Sequence, residues 1–475
     1  MIQIHDIQLR RADLETRMPF RYGIATMTAL PHVFVVMDAE IDGKLQRGVS
    51  ADHLPPKWFT KDPERDPAEE IDDMLNVIGH ASKIAGKSRG SSFYDWWREL
   101  DAQQAAWGED SGYPALLYRF GTALVERALL DALCRHHQRP FHELLHANVL
   151  GLRLGDLHPE LGDTEPATLL PSEPLREVFC RHTVGLADPL RENAIRPEER
   201  IADGLPQSLE ACISTSGLTH FKIKVTADRA FSLPRLREVL AVIDEHCAGD
   251  YRFSLDGNES FTSVDDFRDL WEELSADPVI SKALQHLLFI EQPLHRNNSL
   301  QADTAGALQN WADKPPLIID ESDADLSALP TALAAGYLGI SHKNCKGAVK
   351  GIANACLLEH RRRESGAPLI MSGEDLANIG PVAVMQDLAV QGSLGNASVE
   401  RNGHHYFTGL SMWPAHVAQS VQTAHPDLYE AKNGFAQLAI RKGNLSLASV
   451  NQAPFGVTPL FDSLGEIIAP PSADS

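Results

Sequence analysis

Several patterns that mark large classes of protein are missing from this chain. Its 475 residues hold no apolar run that approaches the length of a membrane span. The opening residues, MIQIHDIQLRRADLETRMPF, lack the uninterrupted apolar core of a signal peptide. The chain also has no GxGxxG after a predicted strand and no GxxxxGK(S/T), so nucleotide-binding folds lose support. We therefore expect a cytoplasmic protein without a membrane partner.

Positive charge and paired cysteines are also scarce. The 43 Lys and Arg residues against 65 Asp and Glu residues give a net charge of −22. Nucleic acids and anionic membranes are bound by clustered Lys and Arg, so no nucleic-acid partner is expected. The six cysteines are scattered, with no CxxC pair and no zinc-ligand spacing. This usage is typical of a reduced interior and not of a disulfide framework.

What the chain does contain, from about residue 180 onward, is a repeated alternation of strands and helices. Short apolar runs such as FKIKV (221–225) and HLLFIE (286–291) are separated by amphipathic segments. The alternation predicts a parallel sheet, and eight such units favour a closed barrel over an open sheet. Residues 146–178, rich in Gly, Pro, Leu and acidic residues, predict an irregular insertion.

The two ends of the chain break this rhythm. Residues 32–43 form an apolar run that closes on Asp-Gly, which predicts a hairpin, and residues 114–137 have strong helical periodicity. Residues 436–457 predict a second hairpin around a Lys-Gly-Asn turn at 442–444. The likeness of the two hairpins indicates that the chain returns at its end to complete the first domain.

Polar residues stand where the apolar runs stop, at intervals of about one strand–helix unit. These residues are Lys224, Asp256, Glu291, Asp320, Lys343, Ser372 and Glu400. The carboxyl ends of the strands form the active site in parallel barrels. One acid after a strand is often only a helix N-cap, but three acids on successive units are a stronger signal. Converging carboxylates repel one another, and a hard divalent cation such as Mg²⁺ relieves that repulsion.

Two lysines interrupt the apolar run HFKIKV (220–225). Side chains alternate between the two faces of a strand, so Lys222 and Lys224 point into the same space. A lysine is almost never buried without a partner. The acids at the neighbouring strand ends would supply such partners.

Five motifs then follow one another in a characteristic order. They are KIK (222–224), LDGNE (255–259), IEQP (290–293), IDES (319–322) and KNCKG (343–347). With this order and spacing, nearly the whole chain resembles the enolase superfamily, of the mandelate racemase/muconate lactonizing enzyme type and its two-lysine KxK branch. The resemblance implies an α/β fold: a (β/α)7β barrel of the TIM type with an α+β capping domain. The barrel would span 116–405, with the insertion near 146–178, and the capping domain would combine 1–115 with the C-terminal segment 406–475.

The resemblance also implies roles for the strand-end residues. The implied Mg²⁺ ligands, with Mn²⁺ as an alternative ion, are Asp256, Glu291 and Asp320. Lys224 would be the base on one face of the substrate, and Lys343 an acid or base on the opposite face. Lys222 would assist by lowering the pKa of Lys224 and by favouring bound anionic oxygens. Metal and lysines together would stabilise the charge left when a proton α to a carboxylate is removed.

Further residues are expected around the metal or the substrate. They are Asn258, Glu321, Glu400, Arg401, Arg21, His53, Lys57 and Trp58. Asn258 would orient the metal ligands, and Glu321 would be their neighbour. Either Glu400 would hydrogen-bond a substrate carboxylate or Arg401 would bind an anion. The other four lie in predicted capping-domain loops, 18–28 and 48–59, which would set specificity, whereas His404 and His405 are expected to be ordinary loop residues.

Departures from the family pattern narrow the expected reaction. The seventh run ends in MSGED without the histidine of the mandelate racemase branch, which favours the two-lysine branch. Two opposed lysines suit racemisation or epimerisation of a small carboxylate-bearing substrate. Cycloisomerisation or dehydration by a lyase with the same lysines is the close alternative, and a metal-independent Schiff-base aldolase is a more remote one. By family analogy the protein would be a homo-oligomer.

Overall fold

The N-terminal part of the protein is built on an antiparallel sheet. The computed structural model describes residues 1–22, 24–459 and 464–469. The strands of this sheet are β1 (Ile2–Tyr22), β2 (Ala25–Ile41), β3 (Lys44–His53) and β4 (Arg89–Gly90). β1 pairs with β2 and β4, and β2 pairs with β3. At the turn into β3, Asp42 and Gly43 have φ values of 50° and 77°, as a two-residue hairpin turn requires, so the first predicted hairpin is confirmed.

Three helices follow, and the last of them packs directly on the sheet. They are α1 (Pro67–Ala85), α2 (Phe93–Asp110) and α3 (Ala115–His137). The carboxylate of Asp131 in α3 accepts a hydrogen bond from the backbone N–H of Val49 at 3.0 Å, and Ser50 donates to the Leu124 carbonyl at 2.6 Å. The helix predicted at 114–137 is thus confirmed. Its packing places α3 with the antiparallel sheet, although the expected domain boundary assigned it to the barrel.

The region around 146–178 contains only short helices. They are α4 (Phe141–His146), α5 (Leu154–Leu157) and α6 (Pro166–Leu169). A ring nitrogen of His158 lies 2.9 Å from Asn354 Oδ1, and Glu160 pairs with Arg361 at 2.7 Å. The segment is therefore fastened to the outside of the barrel.

Eight parallel strands form the barrel among the described residues. They are β5 (Glu177–Val184), β6 (His220–Lys224), β7 (Arg252–Asp256), β8 (Leu287–Glu291), β9 (Leu317–Ile319), β10 (Gly339–His342), β11 (Ile370–Gly373) and β12 (Ser398–Arg401). Each strand pairs with the next, and β12 pairs back onto β5, with Glu400 opposite Arg181. The predicted closed barrel with an antiparallel capping sheet is confirmed. Because three strands separate β6 from β10 in either direction, these two strands stand on opposite walls.

Helices surround the barrel strands. They are α7 (Leu209–Ser216), α8 (Arg229–Cys247), α9 (Val264–Ala276), α10 (Ile280–Ala283), α11 (Arg296–Ser299), α12 (Ala302–Gln309), α13 (Ala328–Ala335), α14 (Ala348–Ser365), α15 (Ala383–Leu394) and α16 (Gly403–Tyr406). This outer layer buries the second face of the barrel strands, which explains their apolar runs. Across the described part of the chain, no helix combines the length and the apolar character needed to cross a membrane.

The C-terminal segment contributes to both parts of the molecule. Its elements are α17 (Ala415–Ala424), β13 (Tyr429–Lys432), β14 (Phe435–Leu438), β15 (Asn444–Ser446) and β16 (Glu466–Ile468). The turn predicted at 442–444 is present, because Arg441 pairs with Asn444 across Lys442 and Gly443. The strand pairing predicted for 436–457 is wrong: β14 pairs with β13, whereas β15 pairs with the first residues of β5, which extend beyond β6. β16 pairs with β1, so the end of the described chain does add a strand to the antiparallel sheet.

Candidate active site

The carboxyl end of the barrel brings the predicted lysines and acids together. Lys222 and Lys224 on β6 both reach Asp256 at the end of β7, with Nζ–Oδ2 distances of 3.0 and 2.6 Å. Glu291 and Asp320 stand at the ends of the next two strands. All five side chains are buried. Two lysines share one partner because residues two apart on a strand face the same way.

Lys222 lies at the centre of the acidic cluster. Besides Asp256, its Nζ contacts Glu291 at 2.7 Å, Glu374 at 3.0 Å and Glu400 at 2.9 Å. Burial opposes a charge on this amine, but the surrounding carboxylates outweigh it and raise the pKa of Lys222 well above its ordinary value. The ammonium group offsets the mutual repulsion of the acids.

Lys343 follows β10 on the opposite wall. Its Nζ contacts Asp320 Oδ2 at 2.5 Å and Glu374 Oε2 at 3.1 Å. Burial alone would lower the pKa of Lys343, but these carboxylates raise it well above its ordinary value. Lys346 holds the other oxygen of Asp320 at 2.8 Å and donates to the Ser341 carbonyl at 3.0 Å, so it positions the aspartate.

Three carboxylates of this cluster are placed to share a cation. One oxygen from each of Glu291, Asp320 and Glu374 lies within 4.8 Å of the other two. Burial, with Asp256 and Glu374 close by, raises the pKa of Glu291 well above its ordinary value. Carboxylate oxygens are the hard ligands that Mg²⁺ prefers, so this donor set fits such an ion. Asp256 lies outside the closest group but shares the Lys222 ammonium with Glu291.

Glu374 is the main residue of the site that the sequence interpretation missed. It follows β11, and its Oε1 accepts from Ser372 Oγ at 2.8 Å and pairs with Arg181 at 3.1 Å. Burial opposes ionisation of Glu374, but the Lys222 and Lys343 ammonium groups outweigh it and hold its pKa well below the ordinary value. The acid in MSGED was the available signal, because it stands at a strand end like the predicted ligands.

A small cavity lies beside the lysines, and three residues expected near the metal or the substrate line it. Asn258 donates its backbone N–H to Asp256 at 2.8 Å and its side-chain N–H at 3.2 Å. Glu400 accepts a hydrogen bond from Thr183 Oγ1 at 2.5 Å. Burial raises the pKa of Glu321 to about 8, and its Oε2 has no hydrogen-bond partner within the described residues.

The cavity between the lysines is small and is roofed by the N-terminal part of the chain. Its volume is about 60 Å³. The apolar residues of its wall include Phe20, Met27, Leu30, Pro55 and Trp58. The Trp58 ring lies 5.0 Å from Lys343 Nζ, which is a cation–π distance. Trp58, expected from the sequence to touch substrate, therefore does border this cavity.

Three other residues predicted for substrate binding lie elsewhere. Arg21 is exposed and lines a separate cavity of about 840 Å³. His53 is buried at the end of β3, with its Nδ1 3.2 Å from His32 Nδ1. Lys57 donates to the carbonyl of Asp62 at 2.8 Å. The sequence predicts a loop over 48–59, but the first part of this segment is strand β3, which packs inside the protein.

Arg401 also points away from the cavity. Glu400, the preceding residue on β12, faces the lysines, so alternation turns Arg401 outward. Its guanidinium contacts Asp375 and lies 3.7 Å from Asp387, and its side chain is buried there. Two carboxylates already neutralise this cation, so the structure does not support anion binding by Arg401.

Solved structures resemble the chain over nearly its whole length. No protein-family model and no curated protein matches it. A dipeptide epimerase from Enterococcus faecalis, solved with Mg and the dipeptide L-Leu-L-Tyr, has a TM-score of 0.59 and 14% identity, with 94% of this chain and 99% of that one covered. A 2-chloromuconate cycloisomerase from Rhodococcus opacus has a TM-score of 0.59 and 14% identity, with 94% of both chains covered. An N-succinyl Arg/Lys racemase from Bacillus cereus has a TM-score of 0.55 and 17% identity, with 86% and 89% covered.

TM-scores of 0.55–0.59 over most of the chain establish a shared fold, and identities of 14–17% show no more than that. The matched structures also include proteins described as mandelate racemase/muconate lactonizing enzymes and as members of the enolase superfamily. The fold that the sequence motifs implied is thereby confirmed. The fold of this chain is that of the mandelate racemase/muconate lactonizing enzymes of the enolase superfamily.

Proposed function

We propose that the chain is an Mg²⁺-dependent enzyme of the enolase superfamily that removes the proton α to a substrate carboxylate, as a racemase or epimerase. The observation that carries this proposal is the placement of Lys224 and Lys343. They stand on opposite walls of one buried cavity, and each contacts a strand-end carboxylate at 2.6 and 2.5 Å respectively. Two amines that face one carbon from opposite sides are the arrangement that inversion needs.

The metal in this proposal is Mg²⁺, with Mn²⁺ as an alternative. Its ligands would be Asp256, Glu291 and Asp320, and Glu374 would remain as the countercharge of the lysines. The buried carboxylate oxygens of Glu291 and Asp320 belong to the close group described above, which supports this assignment. When bound, the metal would stabilise the negative charge that develops on the substrate carboxylate as the α-proton leaves.

The side chains of the cavity would divide the remaining work. As a free amine, Lys224 accepts the α-proton at Nζ, and Lys343, as an ammonium, returns a proton to the opposite face. Lys222 stays protonated among its four carboxylates and adds positive charge near the substrate oxygens. Phe20, Met27 and Trp58 exclude water from the reacting carbon.

The substrate in this proposal is a small carboxylate whose α-carbon carries a hydrogen that can be removed as a proton. Two of the matched structures are by their descriptions a dipeptide epimerase and an N-succinyl Arg/Lys racemase, which makes dipeptides and N-acylamino acids the first classes to examine. The matched cycloisomerase favours one second candidate, cycloisomerisation or dehydration by the same lysines. By family analogy we also propose that the protein is cytoplasmic and forms a homo-oligomer. Light scattering would test the oligomeric state.

Hydrogen exchange at the α-carbon tests the proposal. The full-length protein with Mg²⁺ in D₂O is incubated with a panel of L-dipeptides and N-succinyl amino acids, and proton NMR follows the α-hydrogen. We expect exchange with inversion, lost with EDTA and restored by Mg²⁺. Lactone or alkene products would instead support the cycloisomerase or lyase. Turnover that resists EDTA, together with trapping of substrate by borohydride, would support the Schiff-base aldolase and overturn the proposal.

Variants of the two lysines sharpen this test. Lys224→Met and Lys343→Met should each abolish inversion, yet each should still exchange the α-hydrogen of one stereoisomer, a different one in each variant. The reason is that either remaining amine still reaches one face. Lys44→Met, at an exposed lysine, is the matched control and should behave like the parent protein. Loss of exchange with both stereoisomers in only one of the two variants would contradict a two-base reaction.

A further inference from the structure

Three side chains of types that can bind metal lie outside the barrel, where β12 pairs with β5. His182 on β5, Cys212 in α7 and His405 in α16 form this group, which we call the histidine–cysteine cluster. Arg181 and Thr183, the neighbours of His182, contact the acids inside the barrel, so His182 faces the outer layer. The cluster is therefore separate from the lysines and carboxylates of the candidate active site.

The spacing of the cluster matches a tetrahedral metal site. One ligand atom from each of its three residues lies within 4.8 Å of the other two. Cys212 Sγ is 3.5 Å from His405 Nδ1. Zinc bonds of about 2.3 Å to sulfur and about 2.0–2.1 Å to nitrogen place tetrahedral ligand atoms about 3.3–3.6 Å apart. The observed sulfur–nitrogen distance fits a hydrogen bond in the absence of metal, and it is also the separation that a shared ion would need.

The three side chains of the cluster are buried, and their donor atoms are of the types that bind zinc. Burial lowers the pKa of both His182 and His405, whereas it raises the pKa of the Cys212 thiol well above its usual range. Neutral imidazole and thiolate are the forms that bind zinc. The Cys212 thiol would lose its proton on metal binding, and that proton would pass to solvent.

His404 lies next to the three residues and is a candidate for the fourth ligand position. Its Nε2 lies 3.3 Å from His182 Nδ1, and its Nδ1 is buried without a hydrogen-bond partner in the described part of the chain. It also lines a cavity of about 80 Å³ that reaches this region from outside. His404 is therefore placed either to orient His182 or to serve as the fourth ligand.

We propose that His182, Cys212 and His405 form a structural site for a borderline divalent ion such as Zn²⁺, completed by His404 or by water. The ion would join β5, α7 and α16 across the seam of the barrel. The carbonyl of His405 accepts a hydrogen bond from Arg17 of β1 at 2.8 Å, so the site would also steady the support of the cavity roof. Oxygen ligands select Mg²⁺ at the strand ends, whereas the thiolate and imidazoles select zinc here.

Cobalt substitution tests the site independently of catalysis. The full-length protein is stripped with a chelator and titrated with Co²⁺ in excess Mg²⁺, which occupies the carboxylates. We expect one equivalent of Co²⁺ to bind with a thiolate-to-cobalt charge-transfer absorption in the near ultraviolet. Cys212→Ser should abolish that band, and Cys247→Ser, at a half-buried cysteine elsewhere, should keep it. Absence of the band in the parent protein, or its persistence in Cys212→Ser, would overturn the proposal.

A second variant distinguishes the loss of a metal ligand from a loss of folding. His405→Gln keeps the thiol and should retain the charge-transfer band while weakening Co²⁺ binding by about tenfold or more. Circular dichroism and the melting temperature show whether each variant is folded. An affinity unchanged in a folded His405→Gln variant would remove His405 from the site and contradict the proposal.

Discussion

Either Asp256 or Glu374 could be the third metal ligand beside Glu291 and Asp320. The sequence motif assigns the third ligand position to Asp256, whereas the shortest oxygen separations include Glu374. Both oxygens of Glu374 are held by positive groups, Arg181 on one side and the lysines on the other. At Asp256 the lysines hold one oxygen, and among the described residues the other accepts a single hydrogen bond, from a backbone N–H. The second arrangement leaves more freedom to bind a cation.

Magnesium binding should therefore separate these two residues. We expect Asp256→Asn to weaken Mg²⁺ binding by about tenfold or more and Glu374→Gln to change it by less than about threefold, because only the first removes a ligand. Isothermal titration calorimetry on folded variants measures both. Glu291→Gln, which removes a residue of both possible sets, is the reference for loss of binding. The opposite ranking would transfer the third ligand position to Glu374.

Single residues also show where sequence reasoning succeeds and where it stops. Alternation along a strand is enough to place Lys222 and Lys224 together, and strand ends mark the acids that surround them. Contacts from distant segments are not visible in the same way. Arg401 pairs with Asp375 and Asp387, because the fold brings these partners from other elements. His53, by contrast, stands opposite His32 in the β2–β3 hairpin, a pairing that follows from the register of the Asp-Gly turn.

Glu126 should make stability depend on pH. Burial in α3 raises the pKa of Glu126 to about 8. In the unfolded chain this carboxyl ionises near its ordinary pKa of about 4.3, so between about pH 4.3 and 8 only the folded state keeps the proton. Its contribution to the unfolding free energy then falls as pH rises, by up to about 1.4 kcal/mol per pH unit, and levels off above pH 8.

The variant Glu126→Gln should remove this dependence. Relative to the parent, it should be progressively more stable as the pH rises from 5 to 8, because its side chain never ionises. Urea unfolding at several pH values measures the difference in unfolding free energy. Glu99→Gln, at an exposed position of α2, should show no such trend. A parallel pH dependence in Glu126→Gln and the parent would contradict the raised pKa.

At the scale of elements, the contact between β3 and α3 depends on a glycine. A Cβ added at Gly48 would lie 2.1 Å from the Ala128 carbonyl oxygen and 2.5 Å from the Ala132 backbone nitrogen. Both are helix backbone atoms and cannot move aside as a side chain would. The strand and helix can approach this closely only because residue 48 has no side chain.

Gly48→Ala should therefore destabilise the protein by about 2–3 kcal/mol or more. Gly306→Ala in α12 is the matched control, since nothing lies within 4 Å of its added Cβ. There alanine should stabilise by about 0.5–1 kcal/mol through helix propensity. Chemical denaturation gives both values. A neutral Gly48→Ala variant would mean that α3 can shift away from the sheet.

Elements with a strong internal pattern are the ones that the sequence predicts well. The apolar periodicity of α3 and the Asp-Gly turn before β3 are local, and the structure has both. The predicted hairpin at 436–457 is wrong because its turn is local but its strand pairing is not. The first residues of β5 lie next to β15, and nothing in the residues of β15 distinguishes that partner from β14.

At the scale of the whole molecule, Arg17 fastens the capping sheet to the barrel. It lies near the end of β1 and pairs with Asp203 at 2.6 Å, and it also donates to the carbonyls of Pro206 and His405. Ligand sites have volumes of about 300–1,000 Å³, whereas the cavity beneath this roof has about 60 Å³. We therefore expect the capping part to move away from the barrel when a substrate enters, and Arg17 to oppose that movement.

Arg17→Met should speed hydrogen–deuterium exchange in peptides covering residues 14–22, because it removes the fastening between β1 and the barrel. Arg11→Met, earlier on the same strand, removes a partly exposed pair with Asp13 and should leave these peptides unchanged. Mass spectrometry of both variants makes the comparison. Equal exchange in the two variants would show that the apolar roof alone holds the cap.

The order of strands and helices was sufficient to predict the barrel, since regular alternation has few topological solutions. The position of α3 was not predictable in the same way. α3 is buried on almost every side between Leu116 and Cys134, so its own sequence does not show which neighbour covers which side.

The Lys222 ammonium described above gives the protein an internal counter-ion. Small zinc domains need their metal in order to fold, because metal binding supplies their folding free energy. Here the chain supplies that charge itself, through contacts of 2.7–3.0 Å to four carboxylates. The apoprotein should therefore stay folded when magnesium is chelated, and the ion should return without refolding. Magnesium would then be a requirement of turnover and not of architecture.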